Sequence, residues 1–459
     1  MLKLAAVVGM CAAGACAQCT PQWATSFSQD GPSDTVNAAT EFDPDGPGPL
    51  PPAVVIGGDF EYVGGARVNH VAMWDGQSWR TMGAGFNGSV NVLAVLDPDG
   101  PGPAVTSLYA GGTFTGCIAR WDGQAWVTVG SGVSDIVLCM AVFDDDGAGP
   151  NPPMLCVGGR LGAFSNAARF NGVSWQALGA GLNDFVYALT TFDEDGPGPL
   201  PAALFAGGDF TASGATPALH AAKWNGSAWS ALGDGFNGSV YSFAAFDFDG
   251  AGPGLPALCA GGQYQMSGAA ACNSIARWTG AAWSQVAAGL SGDVRALVVT
   301  DDDGPGPRPE SLCAFGAIRT VAPSNASCAL RLDGNTWVSM GLGLSTRVFC
   351  ACTWDADGAG TGPSRIVAGG FFNTVYQANP PIFTPKLAQW DGAAWGPVGP
   401  AGNRGPDEMV WALASVDEDG AGPLPPALFA AGDFITAGGV GAKYSARRNC
   451  DTWSAVGGG

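Results

Sequence analysis

Residues 186–235 read VYALTTFDEDGPGPLPAALFAGGDFTASGATPALHAAKWNGSAWSALGDG, and the reading of this stretch decides the fold. It holds short apolar runs separated by turn residues, with no helical periodicity of useful length. One run ends in Gly207-Gly208. Two later runs carry Trp224 and Trp229 on either side of the hairpin step Asn225-Gly226. The same unit recurs along the chain as V-x-x-L-A-x-F-D-x-D-G-x-G-P, then A-L-F-A-G-G-D-F, then I-A-R-W-D-G-x-x-W-x-x-L-G-x-G. The glycine of its D-x-D-G element stands at Gly46, Gly100, Gly147, Gly196, Gly250, Gly304, Gly358 and Gly420, at spacings of 54, 47, 49, 54, 54, 54 and 62 residues. In the second unit the strand candidates are Val90 to Leu96, Ser107 to Phe114, Cys117 to Trp121 and Ala125 to Val129, here strands a, b, c and d. Four antiparallel strands repeated at a near-blade period predict an all-β protein, a β-propeller of eight four-stranded blades.

Ring closure leaves an alternative, seven blades plus a terminal strap. Trp23 and Val36 read as the end of one unit running into the next, yet the last unit has its own Trp453. A disulfide between Cys19 and Cys450 is one way to join the termini in an oxidising compartment.

The tryptophan pairs Trp74/Trp79, Trp121/Trp126, Trp224/Trp229, Trp278/Trp283 and Trp390/Trp395 recur at fixed places, with Phe170, Leu332 and Tyr444 standing in for the first member elsewhere. Rings at repeated positions are expected to pack between blades rather than to stack on sugars. An apolar strand ending in Gly-Gly, as in Leu204-Phe205-Ala206-Gly207-Gly208, followed by Trp224 and Trp229, resembles the kelch repeat. The W-D-G-x-x-W-x-x-L-G-x-G form is similar to propeller repeats of exported bacterial and fungal cell-surface proteins. The resemblance spans nearly all of the chain after its leader. It departs from kelch in lacking the Arg and His usual on the first strand and in inserting the D-x-D-G-x-G-P turn. It implies a propeller and no particular activity.

The formal net charge is −20, from 39 acidic and 19 basic residues among 459. Such a field repels phosphate backbones and anionic membranes, so nucleic acid is not an expected partner. Lys3, the apolar run Leu4 to Ala15 and the small residues Ala15-Cys16-Ala17 read as a signal peptide over 1–17, leaving 18–459 as one domain. Lipidation at Cys16 is disfavoured by Ala13, where the motif wants Leu. The expectation is a secreted, soluble monomer with no transmembrane segment. Eleven cysteines follow the leader. Those at equivalent sites (Cys156, Cys259 and Cys313; Cys139 and Cys350; Cys117 and Cys328) alternate with Ala, Phe or Val in other units and read as buried small hydrophobes. No C-x-x-C pair suggests zinc.

Strand parity places the a–b and c–d turns on one face and the b–c and d–a loops on the other. The first face gathers the paired aspartates Asp43/Asp45, Asp97/Asp99, Asp144/Asp146, Asp193/Asp195, Asp247/Asp249, Asp301/Asp303, Asp355/Asp357 and Asp417/Asp419. Paired carboxylates on a glycine turn suit Ca²⁺, and the form resembles the calcium loops of integrin-type propellers. Val95, Val142, Ala245 and Val299 stand where a further oxygen ligand belongs, however, and no distal Glu follows. The other reading is an Asx-type turn in which the aspartates accept backbone N–H groups. The second face carries the loops that vary, the longest including Phe371, Phe372, Tyr376 and Phe383 as ligand-loop candidates, with local packing as the alternative. His70 and His220 occupy equivalent sites three units apart and are expected to be structural. No nucleophile elbow, zinc motif or phosphate loop occurs. The functional expectation is therefore a non-enzymatic propeller for protein or glycan recognition or surface structure, with Ca²⁺ as the one candidate cofactor. The rival is a polysaccharide-acting enzyme, hydrolase or lyase, with its site at the propeller axis.

Overall fold

The computed structural model of the chain describes residues 32–34, 36–43, 53–63, 66–74, 79–96, 107–144, 153–196, 198, 201–250, 252, 254–300, 310–320, 328–354, 365–376, 382–383, 386–397, 406–416, 426–449 and 452–456. The leader, Cys19, Trp23 and Cys450 lie outside them. Eight four-stranded antiparallel sheets each follow the order a-b-c-d. In blade 4 these strands are Val186–Phe192, Ala203–Gly208, Ala221–Trp224 and Trp229–Ala231. The a strands are Val36–Phe42, Val90–Leu96, Ile136–Phe143, Val186–Phe192, Val240–Phe246, Leu290–Thr300, Val348–Trp354 and Val410–Val416. Each touches the a strands of both neighbours, and blade 8 meets blade 1. The a strands therefore surround the axis. The ring closes as eight complete blades of consecutive strands, so a seven-blade ring with a strap does not describe it.

Two glycines and one valine hold neighbouring blades together. The valines Val36, Val90, Val137, Val186, Val240, Val294, Val348 and Val410 are all fully buried at the head of strand a. At six junctions the valine packs onto the first glycine of the preceding blade's strand b. A Cβ on Gly57, Gly111, Gly158, Gly207, Gly261 or Gly369 would lie 2.4–2.7 Å from a methyl of the next blade's valine. Phe315 replaces that glycine in blade 6 and sets its ring edge-on to Trp395, 6.4 Å away. Ala431 replaces it at the closing junction, where it packs with Val36. The second glycine answers a different need. A Cβ on Gly208 would stand 2.0 Å from the carbonyl oxygen of Phe185, just before the valine of its own blade. Beside these contacts every a–b ladder shifts register by one residue, a β-bulge.

In four blades the strand-d tryptophan also bonds to the neighbouring blade. The indole N–H of Trp175 donates to Val129 O at 2.6 Å, that of Trp283 to Leu232 O at 2.8 Å, and that of Trp337 to Val286 O at 3.1 Å. In each case the acceptor directly follows strand d of the preceding blade. Trp79 of blade 1 makes the same bond to Val456 O of blade 8, so the closing junction shares this bond with three others.

One sequence reading needs correcting. Leu428 pairs with Arg448, in the register where Leu204 pairs with Trp224. Arg448 therefore replaces the strand-c tryptophan in blade 8, and Tyr444 sits before the strand at φ +62°. The nine described cysteines are buried or half-buried, and burial pushes Cys259 and Cys352 up to about 12.

Trp283→Ala is expected to cost about 3–5 kcal/mol, through lost packing and an orphaned Leu232 carbonyl. Gly207→Ala should cost about 1–3 kcal/mol by pressing a methyl into Val240, and Val240→Ala on that background should recover part of the loss. Thermal or denaturant unfolding checks both. A neutral Gly207→Ala would show that this contact does not set blade spacing.

Candidate functional site

In seven of the eight blades the face carrying the b–c and d–a loops is fastened by one side chain, three residues before the valine. Asn183 Oδ1 accepts the N–H groups of Thr211 and Ala212 at 2.7 and 3.0 Å. Asn237 does the same for Gln265 and Met266, and Asp407 for Ile435 and Thr436. Ser33, Asn87, Ser134 and Ser345 hold their own b–c loops in the same way. These are loop-capping bonds, and they make a rigid platform of what would otherwise be free turns.

On that platform two positions differ from blade to blade. The residue after each valine is the extra member of the bulge, without a register partner on strand b. It is Asn37, Asn91, Leu138, Tyr187, Tyr241, Arg295, Phe349 and Trp411 in turn. The residue after each second glycine is Asp59, Thr113, Arg160, Asp209, Gln263, Ala317, Phe371 and Asp433. The two sets pair across the bulge. Asn37 donates to Asp59 at 3.2 Å, the Tyr187 hydroxyl to Asp209 at 2.7 Å, and the Tyr241 hydroxyl to Gln263 at 3.3 Å. Burial, then the bond to Asp209, push the Tyr187 phenol well above its ordinary range, so it stays a neutral donor.

Blades 4 to 8 thus place four aromatic rings and one guanidinium around the mouth of the axis. Tyr187 and Tyr241 lie 5.6 Å apart, Arg295 covers Tyr241 at 4.0 Å, and Phe349 stacks on Trp411 at 4.6 Å. Arg295 is held from below by Asp293 at 2.9 Å. Blades 1 and 2 contribute amides instead, Asn37 and Asn91, the latter donating to Val137 O of the next blade. From the valine to the end of each a strand, the described side chains include no carboxylate.

The loop aromatics separate by environment. Phe372 is fully buried, at the site occupied by Phe60, Phe210 and Phe434 in other blades. Phe371 and Tyr376 are exposed, and Phe371 lies under the Lys386 ammonium at 4.3 Å. The Phe383 side chain lies outside the described residues. His70 and His220 occupy matching sites, each with Nδ1 bonded to the second glycine's carbonyl, Gly58 and Gly208. The position after the valine could have been found by aligning the eight units on that valine.

On the opposite face, two acidic turns have both aspartates among the described residues. Asp193 Oδ1 accepts the Asp195 N–H at 3.2 Å, and Asp247 Oδ1 accepts the Asp249 N–H at 3.1 Å. Asp249 Oδ2 also accepts from Gly254 at 2.9 Å. Glu194, between the first pair, turns away to Lys223 and the Trp278 indole N–H. A calcium ion needs six to eight oxygens. Among the described residues no group of three acidic, His or Cys side chains could hold a metal. Asp43 and Asp144 are described without their turn partners. Asp45, Asp97, Asp99, Asp146, Asp301, Asp303, Asp355, Asp357, Asp417 and Asp419 lie outside the described residues.

The geometry defines an eight-bladed β-propeller with a built, variable face. No family model matches the chain, and no curated protein sequence matches it. Similar solved structures include Sqt1 of Saccharomyces cerevisiae, 13% identical over 88% of this chain and 95% of that one, TM-score 0.53. The computationally designed Ika8 protein is 13% identical over the same shares, TM-score 0.50. The GH74 xyloglucanase of Xanthomonas campestris is 14% identical over 93% of this chain and 68% of that one, TM-score 0.37. The first two likenesses are of fold alone, and the third carries no argument about this chain.

The melting temperature is expected to be the same in millimolar Ca²⁺ and in excess chelator. A ligand of the folded state must raise it by mass action, so a large calcium-dependent rise would make the acidic turns metal loops.

Proposed function

We propose that the protein is an exported, non-enzymatic recognition propeller that takes a glycan or protein ligand across the mouth of its axis, on the face of the b–c and d–a loops. One observation carries this reading. The skeleton of Val, Gly and Trp recurs around the ring, while the bulged residue beside it changes in kind and gathers four aromatics and an arginine over five consecutive blades. Packing alone asks for repetition. Variation at one rigid, half-exposed position is what a binding surface needs. Flat rings with a few fixed polar groups, here Arg295 and the phenols of Tyr187 and Tyr241, are also the make-up of ligand sites. The kelch-like character of the repeat belongs to the same proposal and is supported by the Gly-Gly step and the aromatics that follow it.

The test is a panel of oligosaccharides and extracellular proteins titrated against the secreted protein. A ligand should bind the native chain, and Tyr187→Ala with Tyr241→Ala should weaken it at least about tenfold, or about 1.4 kcal/mol. The melting temperature should move by no more than about 3 °C. Ligands that bind equally well without the two rings would place recognition elsewhere. Release of new sugar ends from a bound polysaccharide would turn the reading to the enzyme.

A further inference from the structure

Blade 6 departs from the others on the recognition face. Its a–b ladder continues past the bulge by four pairs, Leu290↔Thr320, Ser291↔Arg319, Gly292↔Ile318 and Asp293↔Ala317. The a strands of blades 4, 5, 7 and 8 begin at the valine. The extension raises a wall beside blade 7 and leaves a cleft of ≈ 510 Å³ between them. Arg319 stands on the wall and Arg347 on the facing blade, with Phe349 and Phe371 as apolar sides and Ser345 and Thr346 at the edge.

The local charge is opposite to that of the chain. Arg319 and Arg347 are exposed, and among the described residues neither forms an ion pair. Nearby Asp293 is engaged by Arg295, and Glu408 lies 3.9 Å from Lys386. Four cations thus face two carboxylates here, in a protein of net charge −20. A guanidinium presents a planar fork of donors that matches a carboxylate or sulfate. Phe349 continues into the Phe349–Trp411 stack, which joins the cleft to the axial mouth.

We propose that this cleft binds an anionic sugar unit, its acidic group held between Arg319 and Arg347 and its C–H face laid on Phe349 and Phe371. A pyranose ring is flat, rigid and apolar on one face, which suits two fixed aromatic walls. An acidic peptide side chain offers the charge without that face. The proposal rests on the recognition reading and narrows it to acidic saccharides.

Calorimetric titration of the whole chain tests it, with oligosaccharides carrying galacturonate, glucuronate or sulfate, each beside its neutral parent. At least one acidic form should bind about tenfold or more tighter than its neutral parent. The exposed pair Arg319→Gln/Arg347→Gln should remove that preference without lowering the melting temperature, and Phe371→Ala should weaken both forms. A carboxylate preferred over sulfate identifies the forked acid, and equal binding identifies charge alone. Neutral and acidic forms binding alike would overturn the cleft while leaving the recognition face standing. A preference surviving the double substitution would also overturn it, as would arginine-dependent binding of hexaglutamate without any saccharide. Failure of every glycan and every protein on the panel would overturn both.

Discussion

The contact on which the rest depends is a valine side chain seated on a bare glycine of the blade before it. Six junctions are built this way, with the valine fully buried and no room for even a methyl opposite. The contact fixes how closely two sheets approach, and at six of the eight junctions it sets the spacing of the ring. It also has a local consequence. Strand a must bulge beside the contact, because the second glycine brings two backbones together there. A bulge frees one residue from the ladder and re-aims its side chain. The element that holds the blades together therefore also delivers one side chain per blade to the mouth of the axis.

On the proposed reading, structure and recognition are thereby divided between adjacent residues. Val240 is buried and matched by a valine in every blade, while Tyr241 beside it is half-exposed and matched by residues as different as Asn37, Arg295 and Trp411. The caps formed by Asn183, Asn237 and Asp407 serve the same division, since they hold the b–c loops through residues other than the bulged ones. Polar groups at the mouth are partnered within the blade, Tyr187 with Asp209 and Arg295 with Asp293. Ordering them on binding therefore costs little.

The blade count and the strands were legible because apolar runs, Gly-Gly steps and tryptophans recur at fixed spacing, and strand parity assigned the two faces. The bulge was not legible. An extra residue on strand a breaks the alternation that a strand reading relies on, so Tyr187 and Tyr241 merge into an apolar run. Phe371 and Phe372 looked alike as an aromatic pair, yet Phe372 fills a core site that Phe60, Phe210 and Phe434 fill elsewhere. Tyr444 was aligned by residue type, whereas the strand register puts Arg448 in the tryptophan's place. The aspartate turns repeat too evenly for any one to stand out. In the two whose aspartates are both described, the carboxylates accept backbone N–H groups.

The most direct measurement replaces Tyr187, Tyr241 and Phe349 together by asparagine, the residue at Asn37 and Asn91, and follows both unfolding and retention on immobilised polysaccharide or partner. The account predicts a protein that unfolds within a few degrees of the native chain, since the valine and glycine contacts are untouched, and that no longer binds. A variant that unfolds or aggregates would make the bulged residues part of the framework, and one that binds as before would contradict the account.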